Sequence, residues 1–205
     1  MVLLPSEYDA AYFGDVIESG GLRRDAGYSD YLQEVQKYRF NPANPTKPFN
    51  PTAEMWKKLL EVEGLENAQI TELGGATGAL GVSMLDDGFD WTVVDVANWC
   101  FRHKQVPDIN FIEQDALSYL QAQGNNSIGA IVSVRFMDCL ADVDAQILID
   151  EMRRKTQQQI HFIDEVANVL FYNVKTLEQW RDNFNWGPPN RITLVSVETE
   201  RILRF

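Results

Sequence analysis

Three acids stand at or just beyond the ends of three successive apolar runs, and the first of them leads into a glycine-rich turn. The segment Ile70-Thr-Glu-Leu-Gly-Gly-Ala-Thr-Gly-Ala-Leu-Gly81 reads as a short strand carrying Glu72, a turn through Gly74, Gly75, Ala76 and Gly78, and the start of a helix. Glycine accepts positive φ and lets a backbone come close to a ligand. A helix start presents N–H groups that have no intrahelical partner. The pattern therefore implies a nucleotide-like ligand lying across a strand-to-helix turn. Asp95 ends the second run, Trp91-Thr-Val-Val-Asp95, 21 residues beyond Gly74. That is near the spacing of about 20 for an acid that holds ribose hydroxyls, and a carboxylate can accept from both hydroxyls of a cis-diol. Asp115 follows the third run, Ile109-Asn-Phe-Ile-Glu113, and also reads as the N-cap of a helix that opens Ala116-Leu-Ser-Tyr-Leu.

The dinucleotide pattern G-x-G-x-x-G fails here, because from Gly74 its later glycines fall on Ala76 and Ala79. The pattern acid-x-G-x-G-x-G fits with one departure, as Glu72, Gly74, Ala76 and Gly78. This resembles motif I of the class I S-adenosylmethionine-dependent methyltransferases. The resemblance implies S-adenosyl-L-methionine as cofactor, held by Glu72, Gly74, Gly75, Ala76 and Gly78, by Asp95 and Val96, and by Asp115 and Ala116. In that family the acid at the place of Asp115 accepts from the adenine amine and the next residue offers its N–H to the ring. Residues 133–138, Ser-Val-Arg-Phe-Met-Asp, fall where the fourth motif of the family lies, which adds Ser133 to the cofactor set. The N-terminal Tyr8-Asp-Ala-Ala-Tyr-Phe-Gly14 and Gly27-Tyr-Ser-Asp-Tyr31 resemble lead-ins that fold over the cofactor, which adds Tyr12; they read equally as an aromatic helix face or a dimer contact.

Methyl transfer asks little of a protein. A sulfonium methyl is already activated, and in-line positioning of the nucleophile is worth up to roughly 7–11 kcal/mol. A general base is needed only where the nucleophile must lose its proton early. The acceptor-side candidates are Arg135, which could clamp an anion or form a surface ion pair, Asp138, which could also cap a helix, and Glu165 with Asp164 at the end of the fifth run. Tyr172 lies on the loop beyond. Ser133-Val-Arg-Phe136 has no Pro-Pro, and Cys139 has no preceding Pro, so base methylation of DNA is disfavoured. The reading is transfer to an oxygen or nitrogen of a small-molecule or sugar-like acceptor. The alternatives are a catalytically inactive binding or regulatory relative, kept open by Ala76, and a nicotinamide-dependent oxidoreductase, against which the broken dinucleotide pattern argues.

The elements that must position these residues alternate. Strands are expected at 69–73, 91–95, 109–113, 128–133 and 160–164, and helices at 53–60, 77–86, 96–104, 116–122, 139–156 and 174–184. Thr52 reads as the N-cap of the first helix and Gly64 as its end. Near-continuous apolar strands between helices predict a doubly wound α/β fold. The C-terminal runs 191–197 and 201–205, joined by only Glu198-Thr199-Glu200, must pair antiparallel. The resemblance implies a seven-stranded Rossmann-like sheet of order 3-2-1-4-5-7-6 with the seventh strand antiparallel. Residues 1–51 form the expected N-terminal lid and Pro-rich loop, and 52–205 the cofactor-binding domain.

Composition narrows the partners. The chain of 205 residues carries a net charge of −12, with no Lys/Arg run longer than the triple Arg153-Arg154-Lys155, which argues against nucleic acid and suits a cationic ligand. No apolar run approaches the ~18 residues of a membrane span, and Met1–Glu7 lacks a basic n-region, so a cytoplasmic protein is expected. His103 and His161 are too few and too separated for a metal site, His161 reading as a satisfied core histidine and His103 as a solvated helix end. Cys100 and Cys139 make neither a disulfide framework nor a metal pattern.

Overall fold

Six parallel strands and one antiparallel edge strand build a single sheet, seen in a computed structural model that describes residues 53–76, 78–97, 109–163, 165, 173–184, 190–196 and 202–204. The strands are β1 Gln69–Leu73, β2 Asp90–Asp95, β3 Asn110–Glu113, β4 Ala130–Val134, β5 Gln158–Ile163, β6 Arg191–Ser196 and β7 Ile202–Arg204. The helices are α1 Ala53–Val62, α2 Ala79–Asp86, α3 Ala116–Ala122, α4 Asp142–Lys155 and α5 Leu177–Phe184. The expectations for residues 1–52, Tyr12 and Thr52 among them, and for Cys100, His103, Asp164, Tyr172 and 198–200 lie outside the described residues.

The strands are apolar on both faces because helices cover both. On one side Ile70, Trp91, Val93, Val132, Ile160 and Phe162 pack with Trp56 and Leu60 of α1 and Leu80 and Met84 of α2. On the other Leu73, Val94, Ile131, Ile163 and Leu194 pack with Leu120 of α3, Leu148 and Met152 of α4, and Trp180 and Phe184 of α5. Alternation along a strand sends neighbours to opposite layers. Glu72 therefore shares the α1/α2 side with Ile70, and Leu73 faces α3–α5.

Local chemistry sets the helix ends. Gly64 at φ +71 stops α1, with Leu65 N–H on Leu60 O at 2.9 Å and Gly64 N–H on Glu61 O at 3.0 Å. These are the paired bonds of a left-handed glycine stop. Thr176 and Gln179 cap α5 reciprocally, Thr176 N–H donating to Gln179 Oε1 at 2.9 Å and Gln179 N–H to Thr176 Oγ1 at 3.2 Å. The α4 helix begins at Asp142, later than the expected 139, because Leu140 and Ala141 are extended and Met137–Cys139 forms a separate 3₁₀ turn. Asp138 therefore does not cap α4.

The order is β3-β2-β1-β4-β5-β6-β7, with β6 parallel to β5 and β7 antiparallel to β6. The seven-stranded, mostly parallel fold is the expected one. The last two strands differ from the expected 7-6 placement, since β7 lies at the edge and does not enter between β5 and β6. Six register pairs from Gln158↔Arg191 to Ile163↔Ser196 already fill that side of β6, so the short link to β7 reaches only its open side. There Arg204 Nε bonds Glu63 Oε1 at 3.1 Å, beside Thr193 Oγ1 on the same oxygen at 3.0 Å.

At Gly81 of α2 an added Cβ would stand 2.5 Å from Trp91 Cδ1, so the helix lies directly on the indole. Gly81→Ala is expected to lower stability by about 1–3 kcal/mol in urea unfolding. Gly124→Ala, where the nearest neighbour is Ser127 Cβ at 3.5 Å, should change it little.

Candidate functional site

Strand order reverses between β1 and β4, and in open sheets of this type the ligand crevice lies outside the carboxyl ends of the strands at that reversal. The turn after β1 is built from alternating left-handed residues, with φ +68 at Gly74, +49 at Ala76 and +78 at Gly78. Gly74 N–H donates to Val94 O at 2.8 Å, which anchors the turn to β2. Asp95, half-buried at the tip of β2, clamps it further: Oδ2 accepts from Ala76 N–H at 2.9 Å and Oδ1 from Ala97 N–H at 2.8 Å. Burial pushes the Asp95 carboxyl upward, opposed by N–H donation from Ala97, Ala76 and Val96. Gln114 N–H donates to Asp95 O at 3.0 Å, so the tip of β3 joins the same edge. Asp115 follows at once, exposed, with Oδ1 accepting from Ser118 N–H at 2.9 Å as the N-cap of α3, and Ala116 opens the helix. Glu72, Asp95 and Asp115 thus come from adjacent strand ends.

Each glycine of the turn has a neighbour that a side chain would strike. A Cβ at Gly74 would meet the Phe136 ring at 2.4 Å, one at Gly75 would meet Val93 at 2.8 Å and Glu72 Cδ at 2.9 Å, and one at Gly78 would meet Ile109 at 2.9 Å. Their missing side chains make room for the protein itself. The Phe136 ring, from the segment after β4, crosses onto Gly74 and joins the two sides of the reversal.

Glu72 is 3% exposed. Trp91 Nε1–H donates to its Oε2 at 2.9 Å. Burial, helped by the nearby Asp95 charge and opposed by the indole, pushes its carboxyl up to about 8. Trp91, Gly81 and Phe136 carry no role in the sequence reading. The clue to the first two was the G-x-x-G spacing of Gly78 and Gly81 at the start of a helix, which lets that helix approach a large neighbour.

Three other candidates are placed differently from expectation. Ser133 is fully buried on the α3–α5 side, its Oγ 2.8 Å from His161 Nδ1, so its side chain is turned away from Glu72. His161 is the satisfied core histidine expected: Nε2 donates to Gln159 Oε1 at 2.9 Å, the ring stacks on Phe184 at 4.9 Å, and burial lowers its pKa to about 3. Asp138 is fully buried in the 3₁₀ turn, and its carbonyl accepts from Asn173 N–H at 3.1 Å. Glu165 is tied to α5, Oε1 accepting from Leu177 N–H at 3.0 Å. Arg135, half-buried beyond β4, has φ +53, and its N–H donates to Phe162 O at 2.9 Å. Ala76 and Arg135 are thus two non-glycine residues in the left-handed region, one on each side of the reversal. Such conformations cost on the order of 1 kcal/mol and collect at functional sites. Among the described residues no group of three or more His, Cys, Asp or Glu could hold a metal ion, and no helix is long and apolar enough to cross a membrane.

No family model and no curated protein matches the chain. Solved structures do, and two that align over most of this chain share its fold. A magnesium protoporphyrin IX methyltransferase from Synechocystis PCC 6803, solved with bound SAM, is similar at TM-score 0.57 and 13% identity, over 93% of this chain and 90% of its own. A protein solved in work on conversion of a disulfide bond into a thioacetal group during echinomycin biosynthesis is similar at TM-score 0.53 and 13% identity, over 85% and 88%. A SAM dependent methyltransferase from Archaeoglobus fulgidus gives TM-score 0.45 and 16% identity, over 62% and 53%. The chain spans roughly half the length of that protein and of two other matched methyltransferase structures, at 59% and 48%. At these identities the likeness is one of fold.

Two buried groups with large pKa shifts, His161 and Glu72, give a pH profile. His161, lowered from 6.5 to about 3, contributes stability present above pH 6.5 and lost as pH falls. Glu72, raised from 4.5 to about 8, binds its proton more tightly folded than unfolded, so stability falls as pH rises through that window. Each slope is about 1.4 kcal/mol per pH unit, so the two offset between their unfolded values, and Asp95 adds in the sense of Glu72. Unfolding free energies from urea titration should therefore decline from about pH 6.5 to about pH 8, by roughly 2 kcal/mol for Glu72 alone, and Glu72→Gln should flatten that limb.

Proposed function

We propose that the chain binds S-adenosyl-L-methionine at the turn after β1 and transfers its methyl group to an oxygen or nitrogen of a small-molecule or sugar-like acceptor by in-line displacement. The observation that carries this reading is the Asp95 carboxylate on the Ala76 and Ala97 N–H groups. A turn whose alternating left-handed residues would form a concavity for an anion has a protein carboxylate on its Ala76 N–H. That disfavours a pyrophosphate and leaves a carboxylate at the ribose position, so the arrangement supports a nucleoside cofactor without phosphate and argues against a dinucleotide.

When bound, the cofactor supplies an activated sulfonium methyl. Asp95 accepts from Ala76, Ala97 and Val96 N–H, and because a carboxylate offers about four lone-pair sites, it retains capacity for a ribose hydroxyl. Val96, Asp115 and Ala116 line the same edge and suit the adenine. Gly74, Gly75, Ala76 and Gly78 set the height of the turn, with Glu72 beneath it. Arg135 stands beyond β4 where an acceptor would approach, and its guanidinium suits an acceptor with an anionic group. Asp138 and Glu165 hold that segment in place. This division of labour leaves catalysis to alignment, in keeping with the modest chemical demand of the reaction. The acidic charge of the chain, with no basic run longer than Arg153-Arg154-Lys155, favours a small acceptor over nucleic acid.

Titration calorimetry and thermal shift should show saturable binding of S-adenosylmethionine and of S-adenosylhomocysteine, and none of NADH. Asp95→Ala should weaken both by roughly tenfold or more, a loss of about 1.4 kcal/mol or greater. Asp115→Ala should weaken them less, since its side chain is exposed. No heat and no shift with either ligand would reject the reading. Binding without turnover over a broad acceptor panel would favour a non-catalytic relative.

A further inference from the structure

The ribose task falls to Asp95, which leaves Glu72 without one. Glu72 is a nearly sealed carboxyl on the α1/α2 side of the sheet. Among the described residues its hydrogen-bond donor is the neutral Trp91 indole, and no cation pairs with it. Its register neighbours are Val93 on β2 and Val132 on β4, Leu80 and Met84 of α2 belong to the same layer, and the charged group facing it is Asp95. Gly75 lies directly over it, with room for no Cβ between. A carboxyl in such surroundings is stable as the neutral acid until a positive charge arrives.

We propose that Glu72 distinguishes the charged cofactor from its uncharged product: it is a neutral acid in the free protein and ionises when a sulfonium cation settles over the Gly75 turn. This rests on the cofactor reading above. The Glu72 O–H bond breaks, the proton leaves to solvent, and the carboxylate keeps the Trp91 hydrogen bond. Once the methyl is gone the cofactor is a neutral thioether, so the carboxylate loses its counter-charge and takes a proton back. The upward push of burial, to about 8, puts the change within reach of neutral solutions. Affinity for the cationic cofactor then rises with pH relative to the neutral product, by at most tenfold per unit below that value. The sulfonium makes the cofactor's own ammonium more acidic than the product's, so the ratio is formed from affinities corrected for the titration of each free ligand.

The test is calorimetric titration of the full chain with S-adenosylmethionine and with S-adenosylhomocysteine from about pH 6 to about pH 9, in pairs of buffers that differ in ionisation enthalpy. The cofactor-to-product affinity ratio should climb several-fold per unit and level off above about pH 8. Near pH 7 the cofactor should release up to about one proton more than the product. Glu72→Gln, which keeps an acceptor for Trp91, should give a ratio independent of pH. A flat ratio in the unaltered chain overturns the proposal whether or not the variant folds. Failure of both ligands to bind overturns the cofactor reading itself, and the two failures are thereby told apart.

Discussion

The Asp95 carboxylate is the tie on which the rest depends. Through Oδ2 it holds Ala76 N–H of the turn after β1, through Oδ1 it holds Ala97 N–H beyond β2, and its own carbonyl accepts from Gln114 N–H after β3. One residue thus fixes the relative heights of three strand tips. Hydrogen bonds to an ionised acceptor are stronger than neutral ones, and here they oppose the burial that pushes the Asp95 carboxyl upward. The same tie occupies the Ala76 N–H of the turn, and under the proposed reading it leaves a carboxylate where a ribose would lie.

The opposite side of the reversal is arranged by packing. Phe136 rests on Gly74, Arg135 is held in a left-handed conformation by Phe162 O, and the 3₁₀ turn at Met137–Cys139 carries a buried Asp138. Ala76, in the turn after β1, shares the left-handed conformation of Arg135. A glycine at that position would relax the turn, so the alanine that departs from the methyltransferase motif keeps a strained geometry where the motif lets it go.

Much of this was legible in the sequence. The strands β1 and β2 end where the apolar runs end, α3 occupies the residues expected for it, and the acids at those ends were identifiable by spacing. What sequence could not convey was direction. Ser133 and Glu72 each lie near the end of an apolar strand, yet one faces α3–α5 and bonds His161 while the other faces α1 and α2 and bonds Trp91. Strand parity relative to the sheet decides that, and parity is invisible until register is known. The glycines were legible as a turn, but their reason was not. Gly75 and Gly81 exist for Glu72 and Trp91, contacts across the strand-to-helix turn and from helix to strand that no local pattern encodes. The place of β7 at the edge likewise follows from a six-pair register between β5 and β6 and an ion pair from Arg204 to Glu63, both tertiary facts.

The most direct test of the central claim is an amide chemical-shift map of the labelled chain with S-adenosylmethionine added. The account predicts that the largest changes fall on Gly75, Ala76, Ala97 and Ala116, the N–H groups around Asp95 and the tip of β3. Changes confined to other surfaces, with those four amides unmoved at saturation, would contradict it.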